Sequence, residues 1–336
     1  MSKIRLGARN AHYYRRRYGL VIMLALLVSL SVLSLLTGSK FIPPTDVWGA
    51  LMGQSDSSDS LIITSLRVPR TLAAILSGMA LGGAGALIQA LARNPLADPG
   101  ILGVNAGASL AIVVGMTLFG FDSPIDWLSA ACLGALAASL LVWGIGVLPS
   151  GRIDPIRLTL AGIALSAVLS GITSSIALLN PLSFDQLRFW LAGTLDIRSI
   201  RPIYFLSPAI VIGVAISLTI ANTLNMLNLG EELASALGTK VLLSRIAALF
   251  SVMLLCGAAT ALVGPIGFVG LIVPHIARLW CGQDQRWIQV YVLLLGPVLL
   301  LSADIIGRLI VPGELRASVV TAFIGAPVLI YLVRKL

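Results

Sequence analysis

The chain has 336 residues, 57% of them hydrophobic and 11% charged, with a net charge of +9 and a mean hydropathy of +0.98. A soluble domain of this length needs far more polar surface, so the composition excludes one. The basic excess gathers at the ends of apolar windows, where it sets membrane topology, and this argues against nucleic acid as a partner.

A spanning helix needs roughly 20 apolar residues, and lipid leaves no partner for unpaired backbone groups. The expected fold is therefore an all-α polytopic membrane protein. The sequence divides into a basic tail, 1–18, and a single transmembrane domain, 19–336. The tail, "MSKIRLGARNAHYYRRRYG", precedes an apolar run longer than the roughly 7–15 residues of a signal-peptide core, with no A-x-A site after it. The run reads as a retained first span. Ten spans are predicted: 19–38, 70–91, 105–121, 127–148, 157–179, 203–224, 241–263, 266–281, 288–307 and 318–333. With both ends placed in the cytoplasm, fifteen of the 23 Lys and Arg fall inside, Arg152 among them, and eight outside. The positive-inside rule favours that orientation.

Arg67 and Arg70 in "LRVPRTLA" open the second span from outside. They lie at the positive end of its dipole and on the disfavoured side. Two such costs at one place point to an acidic partner outside or to arginines snorkelling among headgroups. The second span's Gly78 and Gly82 have GxxxG spacing, which predicts close helix packing. "NPLADPGILG", 94–103, is a helix-breaking turn between spans two and three. Spans three and eight are short and bordered or broken by Gly and Pro. They occupy matching places if spans 2–5 and 7–10 form an inverted repeat.

Span five carries Gly162, Ser166, Ser170 and Ser174, one small residue every fourth position. Such a stripe suits close packing or lines an uncharged path. Residues 180–201 form the longest outer connection, and Phe184, Phe189 and Trp190 suit an interfacial anchoring helix. Between spans six and seven, "NLGEELASALGTK" at 228–240 is amphipathic and too short to cross a bilayer. A helix from Gly230 places Glu231 and Glu232 in its first turn, where the dipole favours anions. Leu229, Leu233, Ala236 and Leu237 then share one face, and Gly238 is a natural stop. Such a helix rests on the membrane or inserts into a groove of a soluble partner. Arg308 follows Asp304 by four residues near the outer end of span nine, the spacing of an intrahelical pair.

No ionisable residue sits clearly at a span centre, which argues against an ion-coupled secondary carrier. No phosphate-binding G-x-x-x-x-G-K-[ST] loop is present, and no nucleophile–base constellation, so neither ATP binding by that loop nor catalysis is expected. Cys132, Cys256 and Cys281 lack metal-ligand spacing and read as small packing residues. His12 and His275 form no ligand pattern, and no metal site is expected.

In order along the chain, "LRVPRTLAAILSGMALGGAGALIQALARNPLADPGILGVNAGAS", "FWLAGTL", "LGEELASALG", "GPIGFVGLIVPHIARL", "ADIIGRL" and "GAPVLIYL" resemble the FecCD-type permeases. These are membrane subunits of ABC importers for ferric siderophores, haem and cobalamin. The resemblance covers nearly everything beyond the basic tail, and "RNPLADPGILGVNAGAS", 93–109, looks most like the ferric enterobactin-type members. It implies a bacterial inner-membrane protein with ten spans. It also implies a second permease subunit, identical or related, two cytoplasmic ATPase subunits that hold the ATP and Mg, and an extracytoplasmic substrate-binding protein. No cofactor is implied on this chain itself. Gly230, Glu231, Glu232, Leu233, Leu237 and Gly238 match the coupling helix that docks on the ATPase. Arg67, Arg70 and Arg308 match the outer cluster that meets glutamates of the binding protein. Spans five and ten match the pair lining the central path, which gives Ser166, Ser170 and Ser174 a lining role. The family leaves haem or cobalamin as alternative cargoes.

Overall fold

The computed structural model describes residues 2–38, 40–54, 57–146, 155–311 and 313–335; the side chains of 2–15, 155, 181–183, 231 and 335 fall outside this set. Arg152 and the Glu231 side chain, both used above, therefore lie outside the described residues, as do the side chains of most of the 1–18 tail.

Fourteen α-helices and no strand occur among the described residues. Ten coincide with the predicted spans: α1 (Ser2–Leu36), α4 (Val68–Ala92), α5 (Val104–Phe119), α6 (Pro124–Gly146), α7 (Pro155–Leu179), α9 (Arg201–Leu227), α11 (Val241–Val263), α12 (Val269–Cys281), α13 (Gln285–Ile310) and α14 (Ala317–Lys335). Eight contain windows long and apolar enough to span, and α5 and α12 are the two shorter ones, as the Gly and Pro at their borders foretold. The basic tail continues into the first span as one helix. The remaining helices are short. α2 (Pro44–Leu51) and α3 (Ser58–Ile62) precede a single π turn, Ile63–Arg67; α8 (Pro181–Leu191) lies in the long 180–201 connection, and α10 (Glu231–Ala236) sits between α9 and α11. The sequence reading predicted α8 and α10 but not α2 and α3.

Hydrogen bonds fix which ends share a side. At one end, Arg70 of α4 meets Asp304 near the end of α13, and Ser318 at the start of α14 donates to Ala192 after α8. At the other, Arg93 after α4 donates to Leu227 O at the end of α9 at 2.9 Å. There too, Asn225 Nδ2 donates to Asp284, the N-cap of α13, at 2.8 Å, and Arg16 of α1 donates to Cys281 O at the end of α12 at 2.7 Å. The inner part of α1 and the end of α14 thus lie on the α10 side. Helices α4 and α11 run in opposite directions. The packing of one half recurs in the other: α5 on α6, α6 on α7 and α5 on α7 match α12 on α13, α13 on α14 and α12 on α14. Across the halves, α4 packs on α12 and α13 while α11 packs on α5 and α6. This is the exchange expected of an inverted repeat.

The core is the meeting of α4 with α12 and α13. A Cβ on Gly85 would stand 2.0 Å from the carbonyl oxygen of Gly270 in α12, and one on Gly78 would stand 2.4 Å from the backbone nitrogen of Pro297 in α13. Backbones touch there because nothing intervenes, the arrangement that small residues permit in lipid. Irregular backbone is held inside the protein. The turn Pro99–Leu102, a 3₁₀ segment, packs on α7, and residues 264–268 lead into α12 through Phe268, a non-Gly residue at φ 68°. Gly325 of α14 leaves the space that the Phe268 ring fills. A left-handed bulky residue is costly and persists only where packing over-determines it.

Replacing Gly85 by Val should lower the unfolding temperature of the detergent-purified protein sharply, at a cost of about 3 kcal/mol, the upper range for overpacking. Gly49→Ala, which meets open space, serves as the reference and should leave it unchanged.

Candidate functional site

At the end where α4 begins, three arginines gather, and two of them share two carboxylates. Arg70 pairs with Asp304 and with Glu314, each at 2.8 Å, and Arg308 pairs with Asp304 at 2.7 Å, the intrahelical contact its spacing predicted. Asp304 is 1% exposed. Arg67 forms no ion pair among the described residues; its Nη1 donates to Leu35 O at 2.6 Å and Leu36 O at 2.9 Å, and its Nη2 donates to Lys40 O. Arg308 Nη1 donates to Ser34 O at 3.1 Å and Thr37 O at 2.9 Å. Both side chains therefore serve the carbonyls that end α1, which have no intrahelical donor. The apparent misplacement of Arg67 at the positive end of α4 dissolves: the charge sits at the negative end of α1, where a dipole favours it. Arg67 and Arg308 are 5% and 8% exposed, so neither is the outward-reaching cation expected from the sequence. A cleft of about 370 Å³ opens beside them, and the connection before α9 adds Asp196 and Arg198 to its wall. Arg198 is well exposed and lies 3.3 Å from Asp196. The sequence reading missed Glu314, Asp196 and Arg198, because no local signal ties Arg70 to an acid 244 residues away.

The small-residue stripe of α7 divides. A Cβ on Gly162 would collide with Ile101 O, so this position is close packing against the 3₁₀ turn. Ser166 is half-buried near Gly103, while Ser170 and Ser174 are exposed on this chain. Packing and an outward-facing surface are thus both present, on different turns.

At the opposite end, α10 follows Gly230, whose φ of 115° suits glycine, and stops before Gly238 at φ 83°. Ala234 is fully buried against the rest of the chain. Leu229, Leu233 and Leu237 are 62%, 58% and 62% exposed, and Ala236 and Glu232 are exposed beside them. The apolar face predicted for this segment is therefore present and turned outward. Behind it, the end of α9 is tied to α4 through Arg93 and to α13 through Asn225 and Asp284. Burial alone would raise the Asp284 carboxyl, but hydrogen bonds from Arg286 and Asn225 outweigh it and hold the group below its ordinary range. This tie therefore contributes fully above the ordinary carboxylate pKa and weakens only as pH falls through the depressed one.

Among the described residues no cluster of His, Cys, Asp and Glu is arranged to hold a metal ion. A model of the FecCD transport family matches residues 25–335. The chain belongs to the FecCD transport family. The ferric enterobactin transport system permease protein FepD of Escherichia coli is 54% identical to this FecCD chain over 313 residues, 93% of this chain and 94% of the relative. The vitamin B12 import system permease protein BtuC of Vibrio cholerae is 37% identical over 316 residues, 93% of this chain and 92% of the relative. The solved structure of a metal-chelate type ABC transporter in an inward-facing conformation superposes with a TM-score of 0.82 at 28% identity, covering 96% of this chain and all of the other. The chain is thus a multi-pass permease subunit of an ABC importer, a transport component and not an enzyme.

Replacing Asp304 by Asn removes the shared counter-ion of Arg70 and Arg308. Breaking a buried pair from one side costs about 3–5 kcal/mol, so D304N should show a clear drop in unfolding temperature. Glu314→Gln, at the exposed edge of the cluster, should cost under about 1 kcal/mol.

Proposed function

We propose that this permease carries an iron(III)–siderophore complex, of the catecholate class, across the inner membrane of a bacterium. The 54% identity to a ferric enterobactin permease over nearly the whole chain is the observation that carries the cargo class. The vitamin B12 relative, at 37%, is more distant and makes cobalamin the weaker reading.

The energy comes from two ATPase subunits in the cytoplasm, on the side where α10 lies; the excess of Lys and Arg at that end supports this orientation. The exposed Leu233 of α10 and its neighbours Leu229 and Leu237, with Glu232 beside them, form the surface that enters a groove on the ATPase. Displacement of α10 acts on α9 and α11, which it joins, and through Arg93, Asn225 and Asp284 on α4 and α13. Nucleotide binding biases the pair of access states because ATP has higher affinity for the closed ATPases. A second permease subunit, identical or related, completes the path, with Ser170 and Ser174 among its lining. The substrate-binding protein docks at the arginine end. There Arg70 and Arg198 meet its acidic lobes, while Arg67 and Arg308 hold the ends of α1, α4 and α13 in place.

The experiment is uptake of a labelled ferric catecholate by cells whose only such permease is this chain, together with co-purification of the ATPase. Leu233→Asp with Leu237→Asp should abolish both without lowering the unfolding temperature, because both side chains are already exposed. Retained ATPase binding in that variant would overturn the coupling role of α10. Uptake driven by an ion gradient without ATP would overturn the importer reading.

A further inference from the structure

On the α10 side a second cleft, of about 530 Å³, lies between the turn after α4, the end of α12 and the end of α14. Its walls include Pro95, Leu96, Leu279 and Leu332, and Arg278 is the cation among them. Among the described residues no carboxylate pairs with the Arg278 guanidinium. Its Nη2 donates to Gln89 Oε1 at 2.6 Å. The Gln89 amide in turn donates to the carbonyls of Gly270 at 3.1 Å and Leu271 at 3.3 Å, so the acceptor is fixed from both sides. Gln89 is 3% exposed. Arg278 Nη1 is shielded from solvent and has no hydrogen-bond partner among the described residues.

A shielded guanidinium lacking both a counter-ion and a full set of acceptors is costly. An oxygen-rich anion in the cleft supplies the counter-charge, and the planar fork of arginine matches phosphate. The setting selects the kind of phosphate. The walls are largely apolar, and the cleft opens between two membrane helices near their ends. Tyr331 stands 61% exposed and Leu279 63% exposed there, the level at which tyrosine meets headgroups. Clefts of this kind, basic at the membrane surface and apolar along the helices, suit anionic lipids.

We propose that this cleft is a binding site for an anionic phospholipid of the leaflet on the α10 side, with the phosphate on Arg278 and an acyl chain along Leu96, Leu279 and Leu332. The lipid phosphate supplies the counter-charge that Arg278 lacks among the described residues, and the lipid ties α12, α14 and the turn after α4 together. The site requires neither ATPase nor chelate, so it stands apart from the cargo assignment.

The test uses the full-length protein purified in detergent and titrated with dioctanoyl phosphatidylglycerol. Binding is read by native mass spectrometry and by unfolding temperature. The wild-type protein should retain this lipid and unfold at a higher temperature with it, whereas dioctanoylglycerol and inorganic phosphate should have no effect. Arg278→Gln should weaken lipid binding about tenfold. Because that change also strips Gln89 of a partner, Leu279→Trp provides a second arm: it narrows the mouth, keeps Arg278, and should weaken binding as well. Undiminished affinity in both variants would overturn the proposal. So would equal stabilisation by dioctanoylglycerol, which lacks the phosphate, or by inorganic phosphate alone, which lacks the chains. Efficient self-cross-linking of Leu279→Cys in native membranes would also overturn it, by showing a second copy seated on the cleft.

Discussion

Carbonyl groups at the end of a membrane helix must find donors inside the protein, because lipid offers none. The end of α1 meets this demand with two guanidiniums from other helices, Arg67 and Arg308. The charge of Arg308 in turn requires a carboxylate, which Asp304 provides, and Arg70 shares it. One requirement of backbone chemistry thus draws α1, α4 and α13 to a single point. The cleft and the exposed pair Asp196–Arg198 grow outward from there. A buried ion pair is weak evidence of net stability. This one is better understood as fixing the register of α1, α4 and α13 at their shared end.

The α10 end solves the same problem with hydrogen bonds of lower charge. Asn225, Asp284, Arg93 and Arg16 link the ends of α9, α13, α4 and α12. Between the two ends glycine backbone meets backbone, and a few side-chain hydrogen bonds join helices there, such as Ser251 Oγ to Gly213 O at 2.7 Å and Thr260 Oγ1 to Asn105 Oδ1 at 3.1 Å. The short helices α5 and α12 leave non-helical segments within the protein, where neighbours satisfy the freed groups. Thr194 N, for instance, donates to Val263 O at 2.8 Å just before the 264–268 segment.

Much of the fold was legible from hydropathy, because span length and apolarity are set directly by bilayer thickness. All ten spans fall where the apolar windows lie, and the Gly and Pro around 99–109 and 264–275 marked the two short ones. The helix α10 and its outward apolar face were readable from the spacing of Leu229, Leu233 and Leu237. Its assignment to an ATPase rested on resemblance, since amphipathicity does not say what covers a face. The arginine cluster was legible only in part. The Asp304–Arg308 spacing is local and could be read, whereas the carbonyl partners of Arg67 lie 27 to 32 residues away and the Glu314 partner of Arg70 lies 244 away. The α7 stripe shows the same limit: Gly162 and Ser170 look alike in a periodic pattern, and only packing separates them.

The glycine contacts of α4 carry a mechanical corollary. Where two backbones touch with no side chain between them, neither can roll or slip without collision, so α4, α12 and α13 form an inflexible keel through the molecule. Helices α9 and α14 pack against that keel, whereas α7 packs on α5 and α6. Any motion within the bundle therefore falls to helices outside the keel rather than to slippage inside it.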